Sequence, residues 1–290
     1  MVAVKKRPWR STKNTSSSYS RKRPNKRRNT MKETEAARAV LLEVLNALGA
    51  MRDDLIIVGG WVPHLLYPSS NHMGSLDVDL AVSPRAIGGN AYSSIRERLT
   101  QLGYTMKESP TRFFKHLPGL ANPVKIDLIT GLYVLQQRQD SILVDEIHIN
   151  ALRGIDLAFE ASETITVDGS MPDGSVNQVT ARLVAPEAYL LIKAIAMDER
   201  TKDKDAYDIA FVLKHYKPSL ADLAKKVRGV TQAGIGKEAL ALLRTKFRTI
   251  DSVGPVWAGR TASTAGEDAV QFQRSAYEDA TELFQRLDAI

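Results

Sequence analysis

The sequence predicts an α/β (α+β) fold, with a mixed sheet in a first half ending near residue 184 and an all-helical half after it. Three observations predict it. Short apolar runs of strand character recur in the first half, two of them with strict period-two alternation. Stretches with apolar residues at helical spacing separate those runs. After Pro186 almost every segment follows the helical period, and Pro186 and Ser219 stand where helices should start.

The elements follow in order. Ala37, Val40, Leu41, Val44, Leu45 and Leu48 share one face of a helix over 33–51, closed by Gly49. Leu55-Ile56-Ile57-Val58 is a short strand running into Gly59-Gly60, a helix over 61–67 and a polar loop at Ser69, Ser70 and Asn71. Leu76-Asp77-Val78-Asp79-Leu80-Ala81-Val82 is the next strand, with Leu76, Val78 and Leu80 facing the core. A helix over 90–102 places Ile95, Leu99 and Leu102 on one face. The segments 104–107 and 112–117 form a hairpin, and 124–129 is a strand with alternation like that of 76–82. From 143 to 183 the signals are short strands and turns, with strands at 164–167 and 178–183. Helices follow over 187–197, 204–216, 219–227, 237–247 and 267–287. The expected division is a basic tail over 1–32, an α/β domain over 33–184 and a helical domain over 185–290.

Charge is unevenly spread. The net charge is +7, yet residues 1–32 hold 12 Lys or Arg and no acid, so the other 28 basic residues face 33 acidic ones. The tail has too little apolar surface to offset the entropy of ordering, which predicts disorder. Its clusters Lys5-Lys6-Arg7, Arg21-Lys22-Arg23 and Lys26-Arg27-Arg28 suit either a solvated extension or an arm for nucleic acid. The absence of cysteine excludes disulfides and thiolate metal sites. No apolar run has the length of a membrane span, and no secretory segment opens the chain, so the expected location is the cytoplasm, with no membrane partner.

Three carboxylates carry the chemistry. Asp77 and Asp79 are two apart on a strand and so share a face, while Asp127 sits between Ile126 and Leu128 in the same manner. If the two strands pair, three hard oxygen ligands converge, a set suited to Mg²⁺ or Mn²⁺. A D-x-D strand alone is also a common solubility feature of sheet edges. Gly59 and Gly60 at a strand-to-helix junction allow close approach to a phosphate, or simply a tight turn. Lys193 lies among Leu190, Leu191, Ala194 and Ile195, where it either snorkels from the core edge or reaches a phosphate. Asp205 and Asp208 share a helical face and either position Lys193 or Arg200, or pair locally. Arg112, Lys115 and His72 are lesser candidates for substrate contact, and Lys202 and Lys204 read as a solvated face. The five histidines do not fall at metal-ligand spacing.

The ordered set Ile57-Val58-Gly59-Gly60, Leu76-Asp77-Val78-Asp79-Leu80 and Lys125-Ile126-Asp127-Leu128-Ile129 resembles the polymerase-β-like nucleotidyltransferase core. The helix around Lys193, then Arg200 and Lys204-Asp205-Ala206-Tyr207-Asp208, resembles the AbiEii-type branch, which includes toxins of toxin–antitoxin systems. The resemblance covers roughly residues 55–216. It implies a polymerase-β-like core with a mixed sheet and a C-terminal helical domain. It implies metal ligation by Asp77, Asp79 and Asp127, and nucleoside triphosphate binding by Gly59, Gly60, Lys193, Asp205 and Asp208. It further implies an RNA or tRNA acceptor and an antitoxin protein partner. Gly74-Ser75-Leu76 replaces the arginine that many relatives carry just before the acids. A small-molecule acceptor of aminoglycoside type fits the same core. A non-catalytic nucleic-acid-binding or antitoxin-like protein on this fold is the rival from another class.

Overall fold

The computed structural model describes residues 26–87, 91–106, 111–132, 141–144, 147–232 and 234–290. The basic tail as far as residue 25 lies outside them. The first helix, α1 (Lys26–Ala47), starts at Lys26, where the sequence placed tail. Its buried stripe is the expected one, with Ala37, Val40, Leu41 and Val44 at or below 1% exposure, and Leu48 just past its end is buried too.

One mixed sheet organises the first half. Its strands are β1 (Leu55–Val58), β2 (Asp77–Val82), β3 (Arg112–Lys115), β4 (Val124–Gly131), β5 (Ser141–Val144), β6 (Ile147–Leu152), β7 (Ser162–Ser170) and β8 (Val176–Val184). The order is β5-β6-β4-β2-β1-β8-β7, with β3 also paired to β4. β2 and β4 are parallel neighbours, as are β1 and β8, and β4 and β6; β1 and β2 run antiparallel. Val78 and Leu80 are fully buried with Ile126 and Leu128 beside them, which leaves the opposite face of both strands to the acids. Leu76 departs from expectation: β2 begins only at Asp77, and Leu76 is 46% exposed.

Short elements connect the strands. The helix expected after Gly59-Gly60 is a 3-10 turn (Gly59–Trp61) and one five-residue helix, α2 (Val62–Leu66). The brief helix α3 (Pro84–Ile87) and α4 (Ala91–Gln101) follow β2, and α5 (Asp156–Glu160) follows β6. The hairpin expected around 104–117 reduces to a bridge between Thr105 and Phe114, and β3 pairs with β4 instead.

The helical half comprises α6 (Pro186–Glu199), α7 (Asp203–His215), α8 (Leu220–Val230), α9 (Gly234–Lys246), α10 (Val253–Ala265) and α11 (Ala269–Asp288). Pro186 opens α6, and the Ser219 hydroxyl caps α8 by accepting from the Asp222 amide. Helix α10 falls where no helix is predicted. Gly254, Pro255 and Gly259 weaken its local signal, but they let it lie close to its neighbours: a Cβ on Gly259 would stand 2.5 Å from the Ala269 carbonyl oxygen. α6 packs on α5, α7, α8 and α9, which brings its cleft-facing side over the sheet. Among the described residues no helix is long and apolar enough to cross a membrane.

Candidate functional site

The β2–β4 register brings two acids side by side. Asp79 pairs with Asp127 and Asp77 with Lys125, so all three predicted carboxylates share one wall of a cleft of about 270 Å³. β1 places Val58 opposite Asp79, and the chain then turns away through Gly59 at φ +73°. A Cβ at Gly59 would lie 1.9 Å from Asp79 Oδ2, and one at Gly60 would lie 2.9 Å from Ser75 Oγ and 3.1 Å from Lys204 Nζ. Both glycines therefore line the cleft because a side chain would fill it. Since α2 is so short, their contribution is close approach of bare backbone rather than the field of a long helix.

A Gly59→Ala substitution is expected to lose roughly 1–3 kcal/mol of stability from left-handed strain and to push Asp79 aside. Thermal unfolding reads the first effect. An unchanged melting temperature would contradict the geometry of this turn.

Each acid sits in a different setting. Asp127 accepts from Arg112 Nε at 2.5 Å and Arg112 Nη2 at 2.7 Å. Asp77 lies 3.8 Å from Lys125 Nζ. The Asp79 carboxylate has no hydrogen bond or salt bridge among the described residues. Burial, then the charges of Asp127 and Asp77, raise its pKa from 3.8 to about 6. Among the described residues no three His, Asp or Glu side chains form a ready metal cage. Arg112 occupies both oxygens of Asp127. The chemistry of the donors still fits a hard divalent cation. Asp79 is an unpaired carboxylate between two others, and Asp127 would join once Arg112 lets go.

The facing wall comes from α6 and α7. Lys193 Nζ donates to Asp205 Oδ1 and to Asp208 Oδ2, each at 2.7 Å, and the residue is 5% exposed. Burial works against its charge, but Asp208 and Asp205 outweigh that and hold its pKa above the usual lysine value. Arg200 grips Asp205 through Nε at 2.9 Å and Nη2 at 3.0 Å, and Lys204 donates to Asp208 Oδ1 at 2.8 Å. Asp205 and Asp208 are 1% and 0% exposed. They bond Lys193 across the two helices and Arg200 and Lys204 close by in sequence, so both readings left open by the sequence, positioning and local pairing, are present in the contacts. Lysine has three donors, so Lys193 keeps one beyond its two carboxylates.

No protein-family model, curated protein or solved structure matches the chain. The site therefore rests on its own geometry.

Four residues behave differently from their sequence expectation. His72, a candidate substrate contact, is buried. Its Nδ1 accepts from the Gly74 amide at 3.1 Å, so Nε2 carries the proton and donates to Asp208 Oδ1 at 3.0 Å. Burial, only partly opposed by Asp208, lowers its pKa and keeps it neutral. It ties the loop before β2 to the cationic wall. Lys115 sits away from the cleft, paired with Glu43 at 3.3 Å and lying over the Tyr104 ring. Lys202 and Lys204, read as a solvated face, both line the cleft. Sequence reasoning passed over Ser75, Arg153 and Glu199, which also line it. Ser75 stands two residues before Asp77, a spacing that could have drawn notice; the other two come from distant segments with no local signal.

Proposed function

We propose that this chain is a metal-dependent nucleotidyltransferase that moves a nucleoside monophosphate from a nucleoside triphosphate to an acceptor hydroxyl. One observation carries the reading: Asp77, Asp79 and Asp127 on one wall of a cleft face Lys193, Arg200 and Lys204 on the other, with bare glycine backbone between. An acidic wall alone suits a cation and a basic wall alone suits an anion. The two opposed suit a metal-bound polyphosphate.

The triphosphate lies along Gly59-Gly60 and the free donors of Lys193, Arg200 and Lys204. Asp77 and Asp79, joined by Asp127, hold Mg²⁺ or Mn²⁺, which when bound neutralises phosphate charge and acidifies the acceptor hydroxyl. Arg112, once released from Asp127, is a further cation for the phosphates. Asp127 accepts the proton of the acceptor hydroxyl as its oxygen bonds the α-phosphorus. The bond from that phosphorus to the bridging oxygen breaks, and pyrophosphate leaves. The sequence resemblance to the polymerase-β-like core and its AbiEii-type branch extends this to RNA, tRNA above all, as acceptor, with a toxin role and an antitoxin partner.

The test is incubation with each labelled nucleoside triphosphate, Mg²⁺ or Mn²⁺ and total tRNA, beside an Asp77→Ala, Asp79→Ala variant. Label in RNA with the native chain alone supports the reading. Nucleotide-dependent thermal stabilisation without transfer to RNA moves the acceptor to a small molecule or protein. The Arg112–Asp127 pair favours a second reading, a non-catalytic protein in which an ion pair, not a metal, occupies Asp127. Absence of both signals would select it.

A further inference from the structure

The acid-bearing face of the sheet does not end at the cleft. Side chains two apart on a strand share a face, so the row Asp79, Asp127 and Arg112 is followed on the same three strands by the row Asp77, Lys125 and Phe114. The two rows are about 7 Å apart. The first faces the cations of α6 and α7 across the cleft. The second opens into a separate recess of about 270 Å³, and Asp77 lines both spaces.

Leu76, Phe114, Leu120 and Pro123 give this recess apolar walls, and Asn122 adds an amide. The alternation of β3 turns Phe114 there. Phe113 pairs across from Ile126 on the core side, so Phe114 takes the other face. Leu76 is 46% exposed, although burying a leucine side chain gains roughly 1.5–3 kcal/mol. That gain is available to whatever fills the recess.

Chemistry narrows the occupant. A polycationic small molecule needs acids around it, and among the described lining residues Glu33 is the one acid besides Asp77. Apolar walls with one amide suit a flat ring with a hydrogen-bonding edge, since an asparagine amide both donates and accepts. Lys125 stands alongside with its Nζ 3.8 Å from Asp77 Oδ1 and its side chain 40% exposed, a loose pair that leaves charge for a phosphodiester.

We propose that this recess holds the terminal nucleobase of an RNA acceptor, with Leu76 and Phe114 against the ring and Asn122 at its edge. The inference rests on the nucleotidyltransferase reading. The step between the two rows is comparable with the reach from a base to the hydroxyls of its own ribose. A base in the recess therefore presents a terminal hydroxyl to Asp77 and Asp127, on the open side of the triphosphate.

Fluorescence anisotropy tests this with the full chain, Leu76→Gln and Leu76→Met, all in Mn²⁺. The probes are two short single-stranded RNAs that differ only in the last residue, which is complete in one and abasic, with its ribose hydroxyls kept, in the other. Both carry the same phosphates, so every purely electrostatic contribution cancels. The native chain is expected to bind the complete RNA about tenfold more tightly. Leu76→Gln removes the apolar wall without changing charge and is expected to bind the two RNAs alike, whereas Leu76→Met should keep the preference. Position 76 is nearly half exposed, so both variants should fold and should gain the same thermal stabilisation from nucleoside triphosphate as the native chain. Full preference in Leu76→Gln overturns the proposal, and so does its loss in Leu76→Met. A native chain that nucleoside triphosphate stabilises but that ignores the missing base overturns the recess alone. A native chain with no such stabilisation overturns the nucleotidyltransferase reading, and the acceptor role with it.

Discussion

Replacing Lys193 by methionine is expected to lower the unfolding free energy by roughly 3–5 kcal/mol, because it strips the shared partner from two buried carboxylates. Asp205 and Asp208 are almost wholly inaccessible, and each lies 2.7 Å from the Lys193 ammonium. Burial by itself would raise the pKa of Asp208; Lys193, Lys204 and the His72 hydrogen bond more than reverse that and hold it well below the ordinary value. Without Lys193 the balance fails. Chemical denaturation measures the loss, and adding Asp205→Asn and Asp208→Asn to Lys193→Met is expected to recover most of it. The triple variant then separates structure from function: it should fold, yet show no stabilisation by nucleoside triphosphate. Full nucleotide stabilisation in that refolded variant would remove Lys193 from the phosphate site.

The second large effect has the opposite sign. Asp79→Asn is expected to stabilise the metal-free protein at pH 7 by on the order of 2 kcal/mol while abolishing transfer. The sign follows from proton linkage. The folded pKa of Asp79 is about 6 against an ordinary 3.8, so the folded chain binds the proton more tightly than the unfolded one. The stabilising contribution is fully present below about pH 4 and is lost as the pH rises through about 6. The native chain should therefore lose stability over that window, and Asp79→Asn should flatten the loss. At pH 7 the melting temperature should rise by several degrees. A divalent cation supplies to native Asp79 the compensation that asparagine does not need, so Mn²⁺ should stabilise the native chain and not the variant. Equal stabilisation of both would place the metal elsewhere.

The legible parts of the site were those written in local periodicity. Asp77, Asp79 and Asp127 announce themselves because alternation assigns each to one face of its strand, and the register then joins the strands. Gly59 and Gly60 are legible as a junction, though the need for Gly59 depends on a clash with Asp79 across the β1–β2 pair, which no local pattern encodes. Lys193 and its two acids were found as a group, but their roles turn on burial. Arg112 was noticed for lying between the acidic strands; that it takes both oxygens of Asp127 follows only from β3 pairing on the free edge of β4. Arg153 had no signal at all, since Glu199 and Glu238 reach it from two helices far along the chain. In the fold, α10 escaped because its glycines serve close contact, Gly254 with Lys246 and Phe247 and Gly259 with α11, at the expense of helical propensity.

The position of β1 constrains how the chain reaches this structure. Its one edge is filled by β2, close in sequence, but its other edge waits for β8, where Ile56 meets Arg182 and Ile57 meets Leu183. During synthesis a wholly apolar strand stays open on that side until more than a hundred further residues have emerged. Its unpaired amides and carbonyls are a template for foreign strands in that interval. A chain stopped before Val176 should collect in aggregates, whereas one extending through β8 should not. The edge of β1 is thus closed late, after most of the sheet has left the ribosome, and its closing is a natural slow step in folding.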